Sequence, residues 1–372
     1  MAEKKQTGFP KIDLKKEIIF GQSAFLSEGA LQLYGELIRN AILAKFNSVN
    51  KKGGINGKIL RLISFDDAGD PQKTFSNINL MKKNKIDMFL GLSGTRSILK
   101  ILPLIRKKEI AVLFPWAGDE KLRQSNLSHL INGIGWIEPQ IKSLTKYSLD
   151  RLRLNKIAIF HEDSSFGSTN KDTLVKELKK RNVTPVKIAS YNRFTMNIKF
   201  PAEKLIETDP KVVISLATSM PTVKLINKFL ELGHYGTKFI GIDSTMFVGN
   251  ILQRKGVTFH YASPVPNPLK SDIPIVKEFK ADMKEYFPND TLNILSLSYY
   301  IHASIIVDAL KNIVGPVTKE KLITQIEKMK NYDLGGFPID FDNETRHAYK
   351  HKIRILKGKT PKMVIQTEKK GK

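Results

Sequence analysis

Short apolar runs and amphipathic helical repeats alternate along most of the chain. In one typical unit, the apolar run Met88–Gly91 is followed by a small polar turn and then by apolar residues at helical spacing from Ile98 to Ile105. Continuous apolar runs are typical of parallel strands buried on both faces, and amphipathic repeats are typical of helices that cover a sheet. The alternation therefore predicts an α/β fold in which right-handed crossover helices join parallel strands.

The alternation occurs in two similar halves. Strands are predicted at residues 17–23, 58–65, 87–91 and 110–114 of the first half, and at 155–161, 186–191, 211–217, 238–242 and 257–262 of the second. The chain is predicted to cross between the halves near Gly133 and near Pro264. Two late strand-like segments, 338–341 and 352–356, indicate a third crossing near residues 334–336. Three crossings predict two Rossmann-like lobes with parallel-sheet cores, joined by a three-segment hinge around a ligand cleft.

These crossings also set the predicted domain boundaries. Lobe 1 is predicted to contain residues 16–133 and 265–334, and lobe 2 residues 134–264 and 335–358. Residues 1–15 and 359–372 are polar and rich in lysine, so we predict that they form tails.

Polar and aromatic residues follow the predicted strands where a cleft would lie. Ligands of open parallel sheets bind beyond the carboxyl ends of the strands. Five of these ends carry hydroxyl groups, aromatic rings or an acid: residues 93–97, 116–119, 164–166, 218–219 and 243–245. The turn at Gly91–Thr95 precedes a predicted helix, whose free N–H groups suit a carboxylate or another anion. The alternative, that the hydroxyls there only cap the helix, stays open.

Composition narrows the class of protein. A chain of 372 residues, 41% of them hydrophobic, is too long for one ordinary core and predicts about two domains. There is no cysteine, which excludes disulfides, thiolate nucleophiles and cysteine-based metal sites. No run of roughly eighteen apolar residues is present, so we predict no membrane span. The first residues lack an apolar signal region, so the protein is either cytosolic or an exported protein whose signal was removed and replaced by a start Met.

The net charge of +25 raises the question of a nucleic-acid partner. The basic residues stand in scattered pairs and triplets, such as Lys51-Lys52 and Arg106-Lys107-Lys108, on the outer faces or ends of predicted helices. No recognition helix, finger motif or RNA-binding aromatic signature accompanies them. We therefore predict a solvated lysine-rich surface with weak attraction to anionic surfaces and no nucleic-acid partner.

Residues that could carry enzyme chemistry or bind a metal are scattered. His161 to Ser164 follow a predicted strand, but no nucleophile elbow, phosphate loop or metal pair accompanies them. The other histidines form no ligand spacing. The acidic turn Asp66–Pro71 lacks the spacing of a calcium loop and is predicted to cap a helix that begins at Pro71. We predict a protein that is not an enzyme, with no catalytic residue, metal or cofactor.

Six segments in this order resemble one protein family. They are Ile18-Ile-Phe-Gly-Gln-Ser-Ala24, Val49-Asn-Lys-Lys-Gly-Gly-Ile-Asn-Gly57, Asp66-Asp-Ala-Gly-Asp-Pro71, Gly91-Leu-Ser-Gly-Thr95, Ile157-Ala-Ile-Phe-His-Glu-Asp-Ser-Ser-Phe-Gly167 and Gly335-Gly-Phe-Pro-Ile339. Over roughly residues 16–358 the chain resembles the type I periplasmic binding proteins of the leucine/isoleucine/valine-binding class, which are the substrate-binding components of ABC transporters. The resemblance implies that two lobes close as rigid bodies over a small ligand.

The resemblance also implies which residues bind that ligand. Thr95 matches the hydroxyl that holds the carboxylate of amino-acid ligands, and Asp243 matches the acid that pairs with their ammonium group. Phe166 matches an aromatic residue that stacks on the ligand. The backbone at Trp116, Ala117 and Gly118 matches ligand-binding groups of lobe 1, and Thr218 and Ser219 match residues that line the cleft in lobe 2.

Several residues depart from the pattern of the family. Trp116 replaces a small residue, Phe166 replaces the usual tyrosine, and Arg96 adds a charge beside Thr95. Together with Tyr34, the two aromatic residues indicate a flatter, apolar or aromatic ligand with a polar end, unless they only pack in the core.

The resemblance implies an extracytoplasmic solute-binding protein that closes on an amino acid or a related aromatic or carboxylate compound. Its partners would be this small ligand and an ABC permease, through which alone it would approach the membrane. The implied location is periplasmic or extracellular. The alternative is that the chain is the ligand-sensing domain of a signalling receptor.

Overall fold

The strands and helices below come from a computed structural model, which describes residues 9–27, 29, 31–252, 257–350 and 352–358. The strands are β1 (Glu17–Ala24), β2 (Ile59–Asp66), β3 (Met88–Leu90), β4 (Ala111–Leu113), β5 (Leu130–Ile131), β6 (Ile157–Glu162), β7 (Lys187–Tyr191), β8 (Val212–Leu216), β9 (Lys238–Gly241), β10 (Phe259–Ser263), β11 (Tyr332–Leu334), β12 (Phe337–Ile339) and β13 (Arg354–Lys357). The helices are α1 (Gln32–Lys51), α2 (Pro71–Lys83), α3 (Thr95–Arg106), α4 (Ile137–Lys146), α5 (Ser165–Lys179), α6 (Lys199–Ile206), α7 (Ser219–Glu231), α8 (Val248–Leu252), α9 (Pro274–Tyr286), α10 (Ile294–Lys311) and α11 (Lys319–Glu327).

The strands form two separate sheets with a largely parallel arrangement. The first sheet has the order β2-β1-β3-β4-β5, and all its neighbours are parallel. The second has the order β13-β10-β9-β8-β6-β7, and only the β10–β13 pair is antiparallel. This confirms the predicted fold class of two α/β lobes. From here on, lobe 1 and lobe 2 mean the first and second sheets with the helices that pack on them.

The buried helix α10 completes lobe 1, although it lies far along the chain from the sheet. It packs against α1 and α11, and almost every residue from Ile294 to Leu310 is buried. By length and mean hydropathy α10 is long and apolar enough to span a membrane, but 89% of its residues are buried inside the protein. The apolar composition therefore serves packing within lobe 1.

Local capping explains where α2 begins. The side chain of Asp70 accepts a hydrogen bond from Gln72 N at 2.8 Å, and Pro71 occupies the first helical turn, where its missing N–H leaves no donor unpaired. The structure thus confirms the prediction that the acidic turn caps a helix.

Two segments differ from the sequence-based expectation. In the predicted tail 1–15, Phe9 and Ile12 pack against the core of lobe 1, and the ring of Phe9 meets Phe65 edge-on at 5.8 Å. Apolar side chains in a lysine-rich segment can anchor it to a core. The part of the predicted tails outside residues 9–15 lies outside the described residues.

The late hairpin β11–β12 lies against lobe 1, whereas the sequence placed residues 335–358 in lobe 2. Its turn packs on α9, because Ile275 N donates to Gly335 O at 3.0 Å. The chain reaches the second sheet only at β13, after residues 346–348 have paired with Asn132. The third crossing therefore follows the hairpin, and the other predicted lobe boundaries stay predictions.

Candidate functional site

A cleft between the lobes contains two adjoining cavities. The outer cavity has a volume of about 520 Å³ and the inner one about 120 Å³. Both are lined by residues that follow the carboxyl ends of strands or begin helices: Phe25, Leu31, Gly69, Arg96, Glu162, Arg193 and Thr218. This is the position at which open parallel sheets bind ligands.

The structure brings most of the predicted site residues to the inner cavity. They are Thr95, Arg96, Trp116, Ala117, Gly118, Phe166, Thr218 and Asp243. Tyr34 and Ser219 do not line either cavity, because they lie beneath it in a buried contact between the lobes. The ligand-binding roles of all these residues stay predictions.

Thr95 and Gly118 already contact one another. Thr95 is the first residue of α3, and its Oγ1 accepts a hydrogen bond from Gly118 N at 3.1 Å. A hydroxyl group that accepts one bond can still donate its own hydrogen. The Thr95 hydroxyl therefore keeps a donor for a ligand, whereas the Gly118 N–H already has an acceptor in the protein.

The aromatic ring of Phe166 crosses from lobe 2 to the backbone of lobe 1. It lies in the first turn of α5, which begins directly after Ser164, and the Ser164 hydroxyl caps the N-terminus of the helix by accepting from Gly167 N at 3.2 Å. A Cβ atom at Gly118 would stand 2.6 Å from Phe166 Cε2. Only glycine at position 118 therefore leaves room for this ring against the loop.

Aromatic residues form the floor of the cleft. Tyr34 and Trp116 stack with their ring centroids 5.1 Å apart, and Phe247 meets Tyr34 edge-on at 5.6 Å. The Tyr34 hydroxyl, on lobe 1, donates to Ser244 O at 3.1 Å and lies 3.2 Å from Ser219 Oγ, both on lobe 2. Burial raises the pKa of Tyr34, so its hydroxyl stays neutral and joins the two lobes as a donor.

Asp243 lies at the inner end of the site with only 3% of its surface exposed. Its Oδ2 accepts from Gln140 Nε2 at 2.9 Å, and its backbone N donates to Gln140 Oε1 at 2.8 Å. Burial raises the pKa of Asp243 to about 6, and the Gln140 bond opposes this rise only in part. Among the described contacts, the partner of this carboxylate is a neutral amide. A cationic group of a ligand would therefore supply the positive charge that the carboxylate lacks.

The loop that carries Trp116, Ala117 and Gly118 is held from behind by Arg123. This buried guanidinium group donates to Ala117 O at 2.9 Å and to Asp119 O at 2.5 Å. Burial lowers the pKa of Arg123 to about 10, which still leaves it charged near neutral pH. The loop enters from Phe114, whose φ of 54° is unusual for a bulky residue and whose carbonyl accepts from Tyr299 at 3.1 Å.

Five residues that line both cavities were not predicted as ligand-binding residues from the sequence, and three of them lie at or just after a strand end. Phe25 directly follows β1, Glu162 ends β6, and Arg193 lies two residues after β7. The same rule that pointed to the other strand ends would have found them if it had been applied to every strand. His161, the residue before Glu162, is buried, and its Nδ1 lies 2.9 Å from Glu162 O.

Comparison with known proteins matches this architecture. A family model described as periplasmic binding protein matches residues 21–362. A Leu/Ile/Val-binding protein of Rhizobium johnstonii is 23% identical over 158 residues, which cover 42% of this chain and 43% of that protein. The chain thus spans less than half the length of the curated relatives it matches.

Solved structures are similar over almost the whole chain. The substrate-binding periplasmic protein from Ralstonia solanacearum superposes with a TM-score of 0.83 at 21% identity and covers 91% of this chain and 97% of its own. An extracellular ligand-binding receptor from Verminephrobacter eiseniae superposes with a TM-score of 0.82 at 19% identity, with the same coverage of 91% and 97%. At these identities the similarity shows that the fold is shared.

Proposed function

The chain belongs to the periplasmic binding protein family, in the leucine/isoleucine/valine-binding class of its type I members, and on that premise we propose that it binds a small organic ligand between its lobes. The family consists of binding proteins, which agrees with a site that holds a ligand without converting it. The observation that carries the proposal is the cleft itself, where mostly apolar walls surround a few polar groups from both lobes.

We propose that the ligand is an amino acid or a related aromatic or carboxylate compound. The donor left on Thr95 suits an oxygen of the ligand, and the buried Asp243 suits an ammonium group. Phe166 and Trp116 supply flat apolar surfaces between these two ends.

Binding would draw the lobes together, because the ligand contacts both of them. Thr95 and Trp116 belong to lobe 1, whereas Phe166 and Asp243 belong to lobe 2. A ligand shifts such an equilibrium only by its extra affinity for the closed arrangement. We propose that the closed, loaded protein then delivers its ligand to the permease of an ABC importer, in the periplasm or outside the cell.

The test is a thermal-shift screen followed by calorimetry. The panel contains amino acids, aromatic acids, amides, purines and polyamines, and a ligand of micromolar affinity at millimolar concentration would stabilise the fold by roughly 4 kcal/mol. For a ligand with an ammonium group, Asp243→Ala should weaken binding by about 2–5 kcal/mol, because it removes one partner of a buried charged pair.

The matched control is Asp209→Ala, which removes an exposed carboxylate of lobe 2 outside the cleft and should leave affinity unchanged. A panel without any ligand would reject the proposed function. Retained binding without uptake by cells that carry the cognate permease would favour ligand sensing over transport.

A further inference from the structure

Two arginine side chains, one from each lobe, line the cleft. Arg96 is the second residue of α3 in lobe 1, and Arg193 follows β7 in lobe 2. Both line the outer and the inner cavity. The ion pairs that arginines form among the described residues involve other positions, namely Arg61–Glu17, Arg181–Asp150 and Arg346–Glu327.

The carboxylates that line the same cavities form hydrogen bonds with neutral groups of the protein. Asp70 caps α2, Asp243 is paired with Gln140, and Glu162 accepts a long hydrogen bond of 3.4 Å from Tyr191. Each carboxylate therefore has a neutral partner within the protein.

Among the described residues, neither Arg96 nor Arg193 forms an ion pair. Arg193 lies over the ring of Phe194, with 4.7 Å between its central carbon and the ring centroid. Arg96 is exposed to solvent. Within the described part of the chain, the cleft thus presents one cationic group from each lobe that has no carboxylate partner.

We propose that Arg96 and Arg193 together hold a carboxylate at the outer end of the ligand. This inference rests on the proposed function and names the class of ligand more closely. A guanidinium group matches a carboxylate through two parallel N–H···O bonds, and two of them can share the four lone-pair sites of its oxygens. The ligand is then an elongated organic acid whose apolar body reaches between Phe166 and Trp116.

The sizes of the cavities support an elongated ligand. The inner cavity of about 120 Å³ is lined by Phe25, Trp116, Ile137 and Phe166, which suit an apolar body. The outer cavity of about 520 Å³, where both arginines lie, leaves room for a charged end beyond that body. Because both arginines line the inner cavity as well, they lie where the two cavities adjoin, between the apolar body and the charged end of such a ligand.

The arrangement also makes closure depend on the charge of the ligand. In the empty cleft, two like charges on opposite lobes oppose close approach, whereas an anion between them attracts both. Only a ligand with this acid group gains contacts from both arginines in the closed arrangement, and such differential affinity drives closure.

Matched pairs of probes test the proposal by isothermal titration calorimetry on the full chain. Each pair has the same number of carbon atoms and differs in the distal carboxylate: 2-aminoadipate with norleucine, suberate with octanoate, and 4-carboxyphenylalanine with 4-methylphenylalanine. We expect at least one acid to bind about tenfold or more tightly than its partner, the scale of hydrogen bonds to a charged group. Arg96→Gln and Arg193→Gln should each remove this advantage, so that the acid binds no more tightly than the matched probe without the distal carboxylate.

Arg106→Gln is the matched control, because Arg106 ends the same helix α3 outside both cavities and should leave every affinity unchanged. Glu162→Gln should tighten binding of the acid, because it removes a negative charge from the cavity. If both arginines bind the same carboxylate, the double variant loses less binding free energy for the acid than the sum of the losses in the two single variants.

The outcomes separate this inference from the proposed function. Equal binding within every pair, or an advantage of the acid that survives in the double variant, would overturn the arginine pair while the binding function stands. Failure of all probes and of the wider panel to bind would overturn both.

Discussion

At the scale of single residues, the setting of Asp243 disfavours its negative charge. The side chain is buried, its partners are neutral groups, namely the amide of Gln140 and the backbone of Ser244, and its charge raises the pKa of the nearby hydroxyl groups of Tyr34, Tyr299 and Tyr349. Removal from water without a cation raises the pKa of a carboxyl group. The same feature that makes Asp243 a candidate ligand group thus costs the empty protein stability.

This cost predicts a pH-dependent effect of Asp243→Asn. The pKa rises from an ordinary 3.8 to about 6, so the folded state binds the proton more tightly than the unfolded state does. The loss in the free energy of unfolding caused by the Asp243 charge is absent below pH 3.8 and grows as the pH rises. It is complete above pH 6, where it reaches about 3 kcal/mol. We measure the free energy of unfolding of both proteins in urea. The value for Asp243→Asn minus that for the parent protein should be about 2 kcal/mol larger at pH 7.5 than at pH 4.5.

The comparison of the two proteins cancels the titration of every other group. Asparagine keeps the shape and one acceptor, so the Gln140 bond can persist. A stability difference that does not change with pH would show that Asp243 is not held with a raised pKa.

The residues of the site were predictable where they follow a strand and carry a recognisable group. Thr95, Phe166 and Asp243 met both conditions and line the cavity. Arg193 was missed because the carboxyl end of β7, an edge strand of the second sheet, was not among the five strand ends considered. Tyr34 lies below the cavity because its hydroxyl bonds to lobe 2, and a contact between residues so far apart in the chain leaves no local signal.

At the scale of elements, the loop of residues 116–119 depends on Arg123. Its guanidinium group donates hydrogen bonds to the Ala117 and Asp119 carbonyl groups. Those carbonyls point away from the cleft toward Arg123, while the N–H of Gly118 bonds to Thr95. The arginine thus fixes the orientation of the peptide groups that border the inner cavity.

Arg123→Met should loosen this loop. Two carbonyl groups lose their hydrogen bonds to the guanidinium group, although Asp119 O still accepts from Leu122 N at 3.1 Å. We expect the free energy of unfolding to fall by about 1–3 kcal/mol, since the removal of a buried charge offsets part of the loss. Hydrogen exchange followed by mass spectrometry should show faster exchange at Gly118.

Arg346→Met is the matched control for that variant. Arg346 is also buried and also donates to backbone carbonyls, those of Leu130 and Ser128, but it lies outside the cleft. It should lose stability without faster exchange at Gly118. Equal exchange at Gly118 in both variants would show that Arg123 does not order the loop.

Local sequence patterns predicted the strands and helices better than they predicted the lobe to which each element belongs. Apolar runs located the long strands, and Asp70 with Pro71 located the start of α2. The sequence placed β11 in lobe 1 but β12 in lobe 2, whereas the turn between them packs on α9 of lobe 1 through Ile273 and Ile275. Such a contact is made in three dimensions and leaves no periodic signal in the sequence.

At the scale of the whole molecule, the empty cleft already holds its lobes together at the floor. The bond from Tyr34 to Ser244 and the contact of Phe166 with Gly118 both join lobe 1 to lobe 2. The protein therefore has contacts that favour closure before any ligand arrives. A bound ligand and the contacts at the floor of the cleft would both shift the equilibrium between open and closed arrangements toward the closed one.

Tyr34→Phe should shift the empty protein toward open arrangements. The loss of one hydrogen bond of about 0.5–1.5 kcal/mol changes the ratio of closed to open molecules by about two- to tenfold. Small-angle X-ray scattering should report a larger radius of gyration for the empty variant, and a bound ligand should reduce the difference.

Tyr332→Phe provides the comparison, because the Tyr332 hydroxyl donates to Asp308 at 2.8 Å within lobe 1. It removes a tyrosine hydroxyl bond without touching the other lobe and should leave the radius unchanged. An equal radius for Tyr34→Phe and the parent protein would contradict a role for the floor contact in closure.

The antiparallel strand β13 has a consequence for how the chain acquires its fold. It pairs with β10 across about ninety residues of chain, and α10 reaches back to α1 over an even longer interval. Neither lobe is a continuous piece of sequence, so neither can be completed while synthesis is still under way at residue 290. Until β13 arrives, β10 is an uncovered sheet edge whose free N–H and C=O groups could pair with another chain. The last strand thus protects the molecule against self-association.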